Sequence, residues 1–238
     1  MYEPRTYRHS IVDTDLVSFT AVVKETDLYI RAHRNLEREA LAAINEYRQP
    51  LEDYIRRHPL YLHSLEPVAV EQDAPEIVKI MADASRQANV GPMAAVAGAF
   101  AELVGRRLLE HSPEIIVENG GDIFVKSNVK RVIGIYAGES PLSNKLGIEV
   151  KPGQTPLGVC TSSGTVGPSL SLGLADAVVV LSPSTALADA AATAIGNLVK
   201  SADDITTALD HGQKINGVSG IVIIMGDKLG AWGDVELV

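Results

Sequence analysis

Apolar and polar positions follow two rhythms along this chain. A period near two marks residues 16–32 and most of the chain from 114 onward, and a helical period occupies the span between. The runs LVSFTAVV and LYIRA flank the polar stretch KETD and predict a hairpin. Leu36, Ala40, Leu41, Ile44, Tyr47, Leu51, Tyr54 and Ile55 then recur at spacings of three and four, which predicts a helix. Pro50 should kink that helix or start a new one, and His58-Pro59 should end it. Residues 60–74 read as a loop with a short strand. Pro75 opens a second helix with Ile77, Ile80, Met81 and Ala84 on one face, ending near Asn89. After the break at Gly91-Pro92, a third helix carries Met93, Val96, Ala97, Phe100, Leu103, Val104 and Leu108, with small residues suited to close packing.

From residue 114 the segments EIIVEN, DIFVK, RVIGIYAG, LGIEV and GVCTSS predict short strands, and ADAVVVLS predicts a buried one. Ser184 caps a helix written TALADAAATAIGNLVKSA, and a short helix follows over 203–210. VSGIVIIMG and KLGAWGD predict a closing hairpin that turns through Asp227 and Lys228. Helices and strands are partly segregated, so the expected class is α+β rather than a doubly wound sheet. One domain over 1–238 is expected, with two packed subdomains as the alternative.

Composition narrows the function classes. Of 238 residues, 46% are hydrophobic and 21% charged, which is globular rather than disordered. The formal net charge is −9, and the basic pairs Arg56-Arg57 and Arg106-Arg107 stand apart, so nucleic acid is not an expected partner. No apolar run is long enough to span a membrane, and MYEPRTYRHSIVDTD lacks a signal core. The single cysteine, Cys160, excludes an internal disulfide and fits a reducing, cytoplasmic setting. A small-molecule ligand is the expected partner, and homodimer formation is left open.

Three segments carry candidate chemistry. In Glu118-Asn119-Gly120-Gly121-Asp122 the Asn-Gly pair reads first as a hairpin turn. Functionally, Gly120 and Gly121 let a ligand approach the backbone, with Asn119 and Asp122 placed to bind a base or a sugar hydroxyl. In Thr161-Ser162-Ser163-Gly164-Thr165-Val166-Gly167, hydroxyls and free amides suit an anion, although the lysine of a P-loop is missing. The alternative is a polar connector, and the neighbouring Cys160 is expected to point into the core. In Asp189-Ala190-Ala191-Ala192-Thr193, Asp189 and Thr193 share a helix face and make an oxygen half-site for a hard cation such as Mg²⁺. The competing reading is an aspartate placed near a helix N-terminus by the dipole. His9, His33, His58, His63, His111 and His211 show no zinc spacing, and no Gly-x-Ser-x-Gly elbow exists.

In this order, ENGGD, TSSGTVG and ADAAAT resemble the ApbE-like proteins, whose best-known branch comprises Mg²⁺-dependent enzymes that cleave FAD and attach FMN to a threonine of a target protein. The resemblance implies that Asp189 and Thr193 bind Mg²⁺ and that FAD or FMN is the ligand. With ETDL and VGPMAAVAG added, the chain is similar over nearly its whole length to an uncharacterised ApbE-like family. It departs from the flavin transferases in being shorter, in carrying no histidine in SSGTVGPSLSLG, and in having no Lys or Arg in VGPMAAVAG. The leading expectation is a Mg²⁺-dependent enzyme acting on a nucleotide- or flavin-like ligand, with Asp122 as catalytic residue. Asn119, Gly120, Gly121, Thr161, Ser162, Ser163 and Gly164 would bind that ligand. The rival is a binding module without catalysis. FMN transfer to threonine is not expected, since Asp122 alone would have to act as base and an ordinary aspartate is a poor one at neutral pH.

Overall fold

The computed structural model describes residues 15–166 and 172–238, so Gly167 and His9 lie outside the described residues. Its frame is an eight-stranded sheet in the order β1-β2-β3-β4-β7-β8-β9-β10, antiparallel throughout. The strands are β1 Val17–Val23, β2 Thr26–Ala32, β3 Ile115–Asn119, β4 Asp122–Lys126, β7 Leu157–Ser162, β8 Ala177–Ser182, β9 Gly220–Met225 and β10 Lys228–Gly233. A second sheet pairs β5 Arg131–Gly134 with β6 Gly147–Val150. Helices α1 (Glu37–Arg57), α2 (Leu60–His63), α3 (Glu76–Ala88) and α4 (Val96–Leu108) are inserted between β2 and β3. Helices α5 (Thr185–Gly196) and α6 (Ile205–Gly212) stand between β8 and β9. This is the expected α+β arrangement. Among the described residues no single helix is long and apolar enough to cross a membrane.

Period two explains how the large sheet is buried on both faces. In β8, Val178 and Val180 join the core shared with α3, α4, α5 and α6, while Val179 and Leu181 join the opposite core with Ile133, Ile135, Ile148 and Val150 of the small sheet. In β9, Ile221 and Ile223 face the helices and Val222 and Ile224 face the small sheet. A third cluster packs β1, β2 and β3 against α1 and α4.

Three local expectations change. No new helix starts at Pro50, because the buried positions Ala40, Ala43, Ile44, Leu51 and Tyr54 stay in phase on both sides of it and packing offsets the lost amide. Residues 60–74 contain one helical turn and no strand. Buried Tyr61 holds that turn, donating its hydroxyl to the Val78 carbonyl at 2.9 Å and meeting Tyr54 edge-on, so the segment lies against helices instead of a sheet edge. The helix expected to start at Pro92 begins with a 3₁₀ turn, Pro92–Ala95, before α4.

Two interactions position the rest. Where α4 meets α5, a Cβ on Gly98 would lie 2.4 Å from the Thr185 carbonyl oxygen and 2.8 Å from Asp189 Cβ. At that contact the helices cap one another. Asp189 of α5 accepts the Gly98 amide of α4 at 2.8 Å, and Glu102 of α4 accepts the Thr185 amide of α5 at 2.7 Å. At the other end of the sheet, buried Arg131 of β5 forks onto Asp15 at 2.6 and 2.8 Å and reaches Glu114 at 3.0 Å and Ser127 at 3.0 Å. This ties the small sheet to the large one. Burial alone pushes the Glu114 carboxyl up, but the Ser127 hydroxyl and the Arg131 guanidinium outweigh it and bring it below the ordinary glutamate range.

Gly98→Ala is therefore expected to lower stability by about 1–3 kcal/mol despite alanine's better helix propensity. Gly153→Ala, where a Cβ meets nothing within 4 Å, should stay within about 0.5 kcal/mol. Urea unfolding of both variants checks this. Arg131→Met leaves Glu114 buried without its cation and should cost about 3 kcal/mol or more. Because the folded carboxyl of Glu114 is depressed, its contribution is complete above the pKa of an unfolded glutamate and is lost as pH falls through the lower folded value. An acid titration of thermal stability should show that loss in the parent and a smaller one in the variant.

Candidate functional site

The β3–β4 hairpin turns through Gly120 at φ 68° and Gly121 at φ 107°, two consecutive left-handed positions that favour glycine. The hairpin and ligand readings of ENGGD are compatible, because this turn also lines a cleft. Its closing pair is Asn119 opposite Asp122, so both side chains lie on one face of the sheet. The Asn119 amide nitrogen donates to the Ala97 carbonyl at 3.0 Å, and Glu118 accepts the Gly121 amide at 2.9 Å. Asp122 is only 7% exposed, and its Oδ1 has no hydrogen-bond partner. Burial pushes its carboxyl up to about 7. The Cys160 thiol and the Thr161 amide oppose that shift, and the Glu118 charge adds to it.

Strand β7 runs beside β4 and carries Thr161 and Ser162, with Ser163 just beyond; all three line the cleft. The loop that follows is closed on itself. The Gly164 amide donates to Ala175 at 2.9 Å, and the Thr165 and Val166 amides donate to Ser163 Oγ at 3.1 and 3.0 Å. The amides of Gly164, Thr165 and Val166 are thus occupied. Gly164 falls outside the cleft lining, and a Cβ there would sit 2.2 Å from the Gly173 carbonyl oxygen, so glycine at this position serves backbone packing. Cys160 is buried, donates to the Thr185 carbonyl at 3.3 Å, and has its thiol pushed far up by burial.

Helix α5 starts at Ser184, whose hydroxyl accepts the Leu187 amide at 3.3 Å. One turn apart along it, Asp189, Thr193 and Asn197 all line the cleft. Burial, and then the charge of Asp122, raises the Asp189 carboxyl well above the aspartate range; the Gly98 and Ala97 amides pull the other way. The charge of Asp122 thus adds to the cost of ionising Asp189 across the cleft lining that both share.

The cleft measures about 760 Å³ and gathers all three sequence segments. Gly91, Met93, Val96 and Ala97 add an apolar wall from the bend between α3 and α4, and Ile133–Tyr136 add another from the small sheet. Sequence reasoning missed His63, Tyr29 and Asn197 among the lining residues. Asn197 continues the i, i+4 stripe of Asp189 and Thr193 and was within reach of that argument. Nothing local marks His63 or Tyr29. Among the described residues no three His, Cys, Asp or Glu side chains converge as a metal cluster. The Asp189 carboxyl and the Thr193 hydroxyl, one helical turn apart in the cleft lining, are oxygen donors of the kind Mg²⁺ takes, and that ion commonly keeps water and phosphate oxygens for its remaining positions.

A family model described as AbpE bacteria matches residues 8–237. The UPF0280 protein of Methanococcus vannielii is 43% identical over 227 residues, covering 93% of this chain and 92% of that protein. The UPF0280 protein of Methanocaldococcus jannaschii is 44% identical over 224 residues, covering 91% of each. Among solved structures, the apo flavinyl transferase ApbE of Pseudomonas stutzeri aligns with a TM-score of 0.56 at 13% identity, covering 93% of this chain and 96% of that one. The flavin transferase ApbE of Vibrio cholerae aligns with a TM-score of 0.52 at 13% identity, covering 92% and 96%. At such identities the structural likeness concerns the fold. Matched by that family model over nearly its full length, the chain belongs to the AbpE bacteria family and shares the fold of the ApbE flavin transferases.

Proposed function

We propose that the cleft binds a nucleotide- or flavin-like ligand together with Mg²⁺ and acts on its phosphate. The observation that carries this reading is the convergence of Asn119–Asp122, Thr161–Ser163 and Asp189–Thr193, distant in sequence, on one cleft. The flavin transferases that share the fold make a flavin the first ligand to test. Asp189 and Thr193 would hold the cation, which would offset charge developing on a phosphate oxygen. The hydroxyls of Thr161, Ser162 and Ser163 position the ligand, and Asn119 and Asp122 meet its polar edge. Asp122 can exchange a proton near neutrality, since burial supplies the shift that an ordinary aspartate lacks.

A second reading, ligand binding without turnover, has its own support. Asp189 is already engaged in capping α4, and the loop amides of Gly164–Val166 are satisfied internally. Both facts reduce what is free to stabilise a transition state.

Calorimetry with FAD, FMN and ATP, with and without Mg²⁺, separates these readings. The expected result is binding at least about tenfold tighter with Mg²⁺ for one of the three, a difference of about 1.4 kcal/mol. Asp189→Asn, which keeps an acceptor for the Gly98 amide, should abolish the Mg²⁺ effect while leaving the fold intact. No heat with any of the three would count against a flavin or an adenine nucleotide as the ligand, and equal binding without Mg²⁺ would favour the non-catalytic reading.

FMN transfer to a threonine remains outside the expected activity. Burial of Asp122 answers the objection that no base is available, but no amide cradle is left in the Gly164–Val166 loop for a leaving phosphate. Incubation with FAD, Mg²⁺ and a threonine-bearing acceptor peptide should give no flavin mass increment. A stoichiometric adduct would reverse this conclusion.

A further inference from the structure

The floor of the cleft offers a ligand acceptors in preference to donors. Asn119 gives one of its two amide hydrogens to the Ala97 carbonyl at 3.0 Å and keeps its carbonyl oxygen and one N–H for a ligand. Asp122 stands directly across the hairpin on the same face, more than nine-tenths buried, with Oδ1 lacking any protein partner. A buried carboxylate oxygen without a donor is costly, and a ligand that brings a donor removes the cost. Two neighbouring acceptors, one of them a carboxylate, complement a planar edge that carries two adjacent N–H groups. An isoalloxazine edge offers a single N–H between two carbonyl oxygens, and those oxygens would face the Asp122 carboxylate. An adenine edge offers an amino group beside a bare ring nitrogen. A 2-amino-4-oxo ring offers a ring N–H and an exocyclic amino group side by side, and a carboxylate can accept both. Glycines at 120 and 121 leave the approach open, since a Cβ on Gly120 would meet nothing within 4 Å and one on Gly121 only the Thr161 carbonyl oxygen at 3.8 Å. Met93, Val96 and Ala97 supply an apolar wall for the flat of a ring.

We infer that the cleft recognises a ring of the 2-amino-4-oxo class, as found in guanine and pterins, through the Asn119 and Asp122 oxygens at the mouth of the β3–β4 turn. This rests on the proposal that the cleft binds a nucleotide- or flavin-like ligand and specifies the ring that it takes. Guanine and pterin share this edge and differ in what the ring bears, so the measurement keeps them in separate arms.

The test uses phosphate-free probes, which keep ring recognition apart from any Mg²⁺–phosphate contribution. Guanosine and pterin are titrated into the full-length protein beside inosine and lumazine, which lack the 2-amino group, and beside adenosine and riboflavin. Guanosine or pterin should bind, and its counterpart without the amino group should bind roughly tenfold or more weakly. Asp122→Asn, which cannot accept two N–H groups from one edge, should weaken the preferred ring by a similar factor and leave the thermal unfolding midpoint at or above that of the parent. Should that variant fail to fold, the paired probes on the parent protein still decide. No binding of guanosine or pterin would overturn the inference. So would equal binding of inosine or lumazine, or a folded Asp122→Asn protein with unchanged affinity. If FMN or FAD binds with Mg²⁺ while guanosine and pterin do not, the ring assignment fails and the broader proposal stands.

Discussion

The contact on which the site depends is the mutual capping of α4 and α5. Each helix leaves amides without partners at its N-terminus, and each receives a carboxylate from the body of the other, Glu102 for α5 and Asp189 for α4. The exchange works only at close range. Gly98 allows it by letting the α4 backbone lie against Thr185, and Gly158 lets the same residue press on β7, where a Cβ would lie 2.5 Å from Thr185 Cα. Helix, helix and sheet are therefore fixed against one another at one point. Asp189 is held at that point beside the strand ends that carry Asp122 and Thr161.

This arrangement also explains the electrostatics of the cleft. Packing that tight removes water from Asp122, Cys160 and Asp189 together, and burial is the leading cause of the raised value in all three. The Gly98 and Ala97 amides offset part of that cost for Asp189. The Cys160 thiol and the Thr161 amide offset part of it for Asp122, yet one of its oxygens has no hydrogen-bond partner. The site thus keeps a carboxyl whose environment is incomplete within the protein itself. On the opposite wall, Asp15 and Glu114 anchor Arg131 of β5, the strand that presents Ile133 to the cleft.

Much of this was legible in the sequence. Alternation identified the strands because each face of the large sheet meets its own apolar layer, and in β8, AVVVLS, every position is buried. The Asn-Gly-Gly-Asp turn, the Ser184 cap and the spacing of Asp189 and Thr193 are local facts, set by backbone conformation and helical period. Tertiary structure decided what local rules cannot express. Residues 60–74 read as a loop with a short strand, yet they contain no strand, and their one helical turn is held through Tyr61 and Tyr54 against helices. The amides of Gly164–Val166 look free in sequence but are taken by Ala175 and Ser163. The sequence placed a carboxylate at 122 and another at 189. That they share one desolvated cleft, and that Asp189 also caps a helix 91 residues away in the chain, follows from long-range packing. Burial and partnership are properties of the assembled chain, because they depend on which distant segments exclude water from a side chain and which present it with a donor.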